Sequence, residues 1–338
     1  MATVGIIANP AAGKDIRRLV AHGRFVPNEE KVNILRRIFA GLDAAGVEQV
    51  VMMPDASMLG RVAMDGADLD VQVEFLDMTI HNDEDDSSRA SQRMADMGVG
   101  CLITLGGDGT NRAVAKGSRD VPLVPVSTGT NNVFPTMVEG TIAGLAAGVV
   151  ARNLVDLEKA TTAHNRLEVH VDGSLRDIAL VDVAISRERF VGSRAIWDIG
   201  TVYEVFLTRP EPASIGLSAI GAHLRPPDMK DGNGIYARLG PGETTVMAAV
   251  APGKVTTVGI ERWHSLSIGE PVEIELRPCT VALDGERSFP LLPHQTAQVS
   301  LSGDGPRVVS IEAALREASL NGVFKITDSA DGIRERNI

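Results

Sequence analysis

Apolar residues enter the first 150 positions in short bursts, and between the bursts they recur at helical spacing. Residues 4–8 form the first burst, a strand stopped by Asn9-Pro10. Val32, Leu35, Ile38, Phe39 and Leu42 then fall on one face of a helix that starts at Pro27-Asn28 and closes at Gly46. Strands over 47–53 and 71–78 follow, with a short helix over 57–67 between them. A helix over 83–97 opens on Asp83-Glu84-Asp85-Asp86, acids that suit a helix N-terminus better than a metal, since consecutive carboxylates do not converge on one ion. Residues 101–105 are apolar, partly β-branched and bounded by glycine, the pattern of a strand buried on both faces. A strand over 121–126 and a helix over 135–152, with Met137, Leu145, Val149 and Val150 facing inward, complete the series. This alternation predicts a doubly wound, mostly parallel sheet.

From about residue 155 the period shortens. Segments at 166–171, 177–183, 245–251, 254–258, 272–276, 280–283 and 298–301 read as short strands, and Asp172-Gly173, Asp231-Gly232, Pro241-Gly242 and Asp284-Gly285 punctuate them as turns. They predict an antiparallel, β-sandwich-like domain. A short helix over 312–318 precedes a polar end. The chain is thus read as α/β, with an α/β domain at 1–154, a β domain at 155–305 and a C-terminal helix and tail at 306–338. The cleft between the two domains is the expected place for a site.

Length and composition agree with this picture: 338 residues suit two cores, and 44% hydrophobic with 23% charged residues is ordinary for a globular chain. The net charge of −11 changes more, because a nucleic-acid surface needs a basic face. Anionic ligands must then be met by glycine amides and individual arginines. Cys101 and Cys279 are far apart and lack metal-ligand spacing. The chain runs straight into an apolar strand with no basic leader, and the longest weakly polar run, 141–151, is interrupted by Gly144 and Gly148. A cytoplasmic protein is expected, without integral membrane contact and without a nucleic-acid partner.

The chemistry gathers at residues 106–111. Gly106, Gly107 and Gly109 follow the buried strand, and Thr110 and Asn111 are cap candidates for a helix over 112–116. Glycines let backbone N–H groups approach phosphate oxygens, and a helix N-terminus adds positive potential. Asp108 stands out, because a carboxylate among such amides repels phosphate unless it holds a divalent cation or accepts a proton from an attacking hydroxyl. The plainer reading is a glycine-rich connection with Asp108 capping the helix. Neither G-x-G-x-x-G nor a P-loop is present. A second small-residue turn, 127–132, follows the next strand, so both turns lie at strand C-terminal ends, where open α/β sheets bind ligands.

Gly106-Gly107-Asp108-Gly109-Thr110-Asn111 resembles the signature of the superfamily that unites NAD kinases with diacylglycerol and sphingoid-base lipid kinases. Ile7-Ala8-Asn9-Pro10-Ala11-Ala12-Gly13 and Pro125-Val126-Ser127-Thr128-Gly129-Thr130-Asn131-Asn132-Val133-Phe134 resemble its lipid-kinase side in matching order. Leu283-Asp284-Gly285-Glu286 resembles the Asp-Gly-Glu turn of bacterial lipid kinases. The overall likeness is to an NAD-kinase-like branch, acetoin-catabolism protein X, and it covers the first 150 residues well and the rest loosely. It implies a kinase that uses ATP and Mg²⁺ to phosphorylate a hydroxyl of NAD or another soluble metabolite, with a link to acetoin catabolism. The implied nucleotide contacts are Asn9, Gly13, Gly106, Gly107, Gly109, Thr110 and Asn111, with Thr128, Gly129, Thr130 and Asn131 on the second turn. Asp108, Asp284 and Glu286 are the implied catalytic residues, and Asp108 is the implied Mg²⁺ ligand or general base. A homo-oligomer formed through the β domain is implied as well.

The likeness has gaps. NAD kinases hold the substrate ribose with an Asn-Glu pair at the start of the second domain and carry a later Gly-Ser-Thr-Ala-Tyr segment. Here 183–188 contain no such pair, and 213–221 keep only the small residues. The donor side is therefore better preserved than the acceptor side. Arg187, Arg189 and Arg194, near Trp197, read either as contacts for an anionic or aromatic acceptor or as exposed charges. Lys14, Arg17, Arg18, His22 and Arg24 read either as a phosphate clamp or as a solvated face. Two other classes stand beside the kinase. A noncatalytic nucleotide sensor needs neither Asp108 nor Asp284-Gly285-Glu286, and a lipid kinase needs an amphipathic basic segment that the sequence lacks.

Overall fold

The computed structural model describes residues 1–13, 22, 26–129, 132–188, 198–225 and 229–325. The first domain runs β1 (Thr3–Ala8), α1 (Asn28–Ala44), β2 (Gln49–Met52), α2 (Leu59–Met64), β3 (Gln72–Phe75), α3 (Glu84–Asp96), β4 (Cys101–Gly106), α4 (Asp108–Ala115), β5 (Leu123–Ser127) and α5 (Gly140–Ala151). The chain then passes through α6 (Leu157–Ala160) and β6 (Thr161–Ala163), which stay with the first sheet. It continues through β7 (Arg166–Val171), β8 (Ser174–Ala179), β9 (Asp182–Ser186), β10 (Val202–Leu207), α7 (Ser218–Gly221), β11 (Gly234–Ala251) and β12 (Lys254–Leu266). Last come β13 (Pro271–Glu273), β14 (Cys279–Leu283), β15 (Glu286–Leu291), β16 (Ala297–Ser302), β17 (Arg307–Val309) and α8 (Ile311–Leu320).

Strands β3, β2, β1, β4 and β5 pair in that order and all parallel, as expected from the alternating pattern. The order reverses between β1 and β4, and at such a switch point the connections leave the sheet on opposite faces and open a crevice at the strand C-termini. One face is covered by α1 and α5, whose backbones approach so closely that a Cβ at Gly144 would stand 2.3 Å from Ile38 O. The other carries α3 and α4 over Ile7, Leu102, Met94 and Val114. The chain returns to this sheet at its end: β17 pairs with β5 and β6, and Ala314 and Ala318 of α8 pack into the α1/α5 core.

In the β domain a six-stranded antiparallel sheet, β12-β11-β10-β9-β14-β15, packs over a four-stranded one, β13-β16-β7-β8, with Phe206, Tyr236, Val281, Leu167 and Val299 between them. Several expectations need correction. The strand read at 177–183 is two strands, because residues 180 and 181 turn a corner. The strands read at 245–251 and 254–258 are far longer, since β11 and β12 stay paired from Gly234 to Leu266 through bulges at Leu239 and Thr244. The helix read at 135–152 begins only at Gly140, capped by the Glu139 carboxylate on Ile142 N at 3.2 Å, and Met137 is exposed. Helix α4 starts at Asp108 with Gly107 as its cap, ahead of the expected Thr110 and Asn111. The reading of Asp83 as a cap holds: its carboxylate accepts from Asp86 N. Among the described residues no helix is long and apolar enough to cross a membrane.

Candidate active site

Three strand ends of the first sheet meet at the switch point. Asn9, just past β1, donates from Nδ2 to Thr110 Oγ1 at 2.9 Å, and its Oδ1 accepts from Ala11 N at 2.8 Å. Gly13, at φ +76°, sits against the second turn so tightly that a Cβ there would stand 2.7 Å from Thr128 O. Thr128 N donates to Gly106 O, which ties the two glycine turns together directly. Asn132 reinforces the second turn by donating to Ser127 Oγ at 2.8 Å. Asn9, Gly13, Gly106, Gly107, Asp108, Gly109, Thr110, Thr128 and Gly129 therefore come together at one edge.

Asn111 is fully buried beneath that edge. Its Oδ1 accepts from Thr104 Oγ1 at 2.6 Å and its Nδ2 donates to Gly107 O at 2.9 Å, so it holds the turn from below. Thr130 and Asn131 lie outside the described residues, as do Lys14, Arg17, Arg18 and Arg24 of the basic loop.

Asp108 does not cap its own helix. Its carboxylate reaches the loop before α5, accepting from Val133 N at 3.1 Å on each oxygen and from Phe134 N at 2.8 Å. Only 8% of the residue is exposed. It stands in the first turn of α4, where helical N–H groups have no intrahelical partners and point outward. The sequence therefore places one negative charge, fixed in direction by two amides, beside the N-terminal amides of α4.

The second domain contributes the turn between β14 and β15. Asp284, at φ +51°, has no exposed side-chain surface. Its Oδ1 accepts from Leu180 N at 3.0 Å and Val181 N at 2.8 Å, the two residues that turn the corner between β8 and β9. Its Oδ2 lies 3.7 Å from Arg112 Nη1. Burial drives the Asp284 carboxyl well above the ordinary carboxylate value; Arg112 opposes the shift, and Asp182 and Asp108 reinforce it. Of the two acids in the turn, Glu286 is the one that faces the cleft: a Cβ on Gly109 would stand 3.9 Å from its Oε2. The structure thus brings Asp108, Asp284 and Glu286 together, with Asp284 behind the other two.

Three residues of this region were not singled out by the sequence. Lys31, with no exposed surface, donates from Nζ to Pro10 O and Ala12 O at 2.8 Å each and to Asn9 O at 3.2 Å, pinning the first loop. It occupies the Leu35, Ile38, Leu42 stripe at helical spacing, and a lysine on that stripe was the available signal. Arg112 follows Asp108 by one helical turn and is buried between the domains. Asp182 accepts from Gly285 N at 3.2 Å, a lone acid inside the apolar run 180–185.

Arg187 is not brought to this site. Strand β9 pairs Asp182 with Leu207 at the Asp284 end and Ser186 with Val202 at the far end, where Arg187 lies. There it stacks on Tyr203 at 4.8 Å and lines a cavity of about 410 Å³ with Asp198, Lys254 and Thr256. Arg189, Arg194 and Trp197 lie outside the described residues.

The donors suit a phosphate chain better than a metal cage. Glycine amides, the start of α4 and the buried, unpartnered Thr128 Oγ1 offer hydrogen-bond capacity. Among the described residues no three His, Cys, Asp or Glu side chains are placed to hold an ion. Mg²⁺ needs no such set, because it keeps waters and is bound by one or two carboxylates plus substrate phosphates. Asp108 and Glu286 are the carboxylates in position.

Residues 4–154 match the model of the ATP-NAD kinase N-terminal domain, and residues 165–304 match that of the acetoin catabolism protein X C-terminal domain. In the solved structure of yeast NADH kinase complexed with NADH, the same fold recurs at TM-score 0.50 and 13% identity, over 98% of this chain and 90% of that one. Acetoin catabolism protein X of Cupriavidus necator is 40% identical over 336 residues, covering 95% of this chain and 94% of the relative. With that identity spanning both domains, the chain belongs to the acetoin catabolism protein X family and carries a kinase-like fold of the NAD kinase type.

Proposed function

We propose that the protein is a phosphotransferase that moves the γ-phosphoryl group of ATP to a hydroxyl of a soluble small molecule, NAD or another metabolite. The single observation that carries this reading is Asp108: a carboxylate aimed by the Val133 and Phe134 amides beside the open N-terminus of α4. Triphosphate oxygens lie along the Gly106–Thr110 and Thr128–Gly129 turns, where backbone donors need no reorganisation. Mg²⁺, when bound, neutralises charge on the transferring phosphoryl group. Asp108 accepts the acceptor hydroxyl's proton as the new P–O bond forms and the bond from the γ-phosphorus to the bridging oxygen breaks to release ADP, and Glu286 bounds the acceptor from the other domain. Asp284 serves as the anchor of the turn that carries Glu286.

The test is ATP consumption by the full chain with Mg²⁺ against a panel of acceptors, with Asp108→Ala alongside. NAD comes first, then other dinucleotides, vitamins, polyols and lipids. Turnover that disappears in the variant supports the reading and identifies the acceptor. Full activity in Asp108→Ala overturns it, and ATP binding without turnover of any acceptor replaces it with a nucleotide sensor.

A further inference from the structure

Arg112 joins the two walls of the cleft with one side chain. Its Nη1 donates to Leu283 O at 2.8 Å and faces Asp284 Oδ2, while its Nη2 donates to Glu84 Oε2 of α3 at 2.9 Å. Only 3% of its side chain is exposed. One turn further along the chain, Lys116 Nζ pairs with Glu84 at 3.1 Å and with Asp177 of β8 at 2.8 Å, a second crossing of the same seam. Arg112 and Lys116 oppose the effect of partial burial and hold Glu84 below its ordinary value.

A buried ion pair is weak evidence for stability, because desolvation offsets most of its attraction. With Asp284 made neutral as well, a methionine or leucine would fill the Arg112 volume, and what the seam would lose is register. The guanidinium reaches three partners in different directions with a rigid fork, which an apolar side chain or a lysine does not reproduce. Two of those partners, Leu283 and Asp284, begin the turn that ends in Glu286, and the arginine itself stands one helical turn from Asp108.

We propose that Arg112 is a positioning residue: by clamping Leu283 and Asp284 to helix α4, it sets the placement of the Glu286 carboxylate over the first turn of that helix. Glu84 fixes the plane of the guanidinium from behind. The catalytic consequence rests on the kinase reading above, whereas the geometric half does not depend on it.

The experiment has two arms. In the first, the full chain carrying Gly109→Cys and Glu286→Cys is treated with a short bismaleimide, and the rate of internal cross-linking is followed. Among the described residues a Cβ at Gly109 meets only Glu286 Oε2 within 4 Å, so the pair is tolerated and adjacent. The native thiols do not compete, since Cys101 and Cys279 are fully buried and burial pushes both up to about 12. Adding Arg112→Met is expected to slow cross-linking by about 10-fold, Arg112→Lys by less, since effective concentration follows the time the two groups spend within reach.

In the second arm, Arg112→Met in the otherwise native chain is expected to lower kcat by about 10- to 100-fold. The KM for ATP should move by less than about 3-fold, because the glycine turns are untouched. Should Arg112→Met fail to fold, Glu84→Gln replaces it, leaving Asp284 paired and a slowing of about 3-fold expected in the first arm. Unchanged cross-linking in a folded Arg112 or Glu84 variant overturns the proposal. Slowed cross-linking in a protein that turns over no acceptor keeps the clamp and removes the kinase.

Discussion

The two walls of the cleft are built from different materials. On the first domain, backbone does the work: glycine turns, the N-terminus of α4, and a carboxylate oriented by two loop amides. On the second, side chains do it. Asp284 is buried among amides from residues 180 and 181, and Arg112 reaches across from the other domain to meet it. A wall made of backbone is preorganised by local sequence and changes little when the domains shift. A wall made of long-range side-chain contacts exists only in the assembled molecule. Affinity for a nucleotide should therefore live mainly on the first wall, and the alignment needed for transfer on the second.

The largest expected effect removes the carboxylate of the first wall. Asp108→Asn should keep the fold, because an amide oxygen still accepts from Val133 and Phe134. Turnover in the ATP assay should nevertheless fall by about 10²- to 10⁴-fold, the usual worth of a positioned proton acceptor. ATP affinity measured by calorimetry should stay close to that of the native chain. On the second wall the corresponding change is one of stability. Arg112→Met leaves the buried Asp284 without its counter-charge and should cost about 3–5 kcal/mol in urea unfolding. Adding Asp284→Asn should recover most of that loss without restoring cross-linking or kcat, which separates the energy of the pair from its geometric role.

The same contrast decides what the sequence could reveal. Strand–helix alternation and the glycine turns at 106–111 and 127–132 are local patterns, and they led to the parallel sheet, its switch-point edge and Asp108. Asp284-Gly285-Glu286 was visible as a hairpin turn, but which of its acids faces the cleft depends on the corner at residues 180 and 181, which the sequence reads as mid-strand. Arg112 looks like any exposed helical arginine until Leu283 is brought to it from 171 positions away. The return of β17 and α8 to the first sheet is hidden for the same reason: a three-residue strand carries too little pattern to say which sheet it joins.

A smaller effect probes the seam behind the first wall. His164 packs edge-on against Phe134, with ring centroids 5.5 Å apart, and its Nδ1 accepts from Arg209 Nη1 at 2.8 Å. The ring is therefore neutral, and burial, with the Arg209 charge adding, pushes its pKa down to about 4. The unfolded chain binds that proton near pH 6.5, more tightly than the folded one. The contribution to stability is thus complete above pH 6.5 and is lost as pH falls from 6.5 through about 4, a swing of about 3 kcal/mol. Urea unfolding across this range should show a steeper loss in the native chain than in His164→Gln, and identical slopes would remove His164 from the seam.

The mildest change tests how local the first wall is. Lys31 comes from α1, yet its ammonium satisfies the carbonyls of Asn9, Pro10 and Ala12 from inside the protein. Asp55 supplies a nearby negative charge, and Lys31 in turn tempers the upward push that burial gives the Asp55 carboxyl. Lys31→Met keeps the apolar stem but removes a charged donor from three acceptors, which should cost about 1–3 kcal/mol. The strain falls on the loop that positions Asn9 against Thr110, so the KM for ATP should rise several-fold while kcat at saturating ATP changes little. That split is the reverse of the one expected for Arg112→Met. If Lys31→Met instead lowers kcat with KM unchanged, the division of labour between the two walls is wrong, and the first wall also sets the alignment of the transfer.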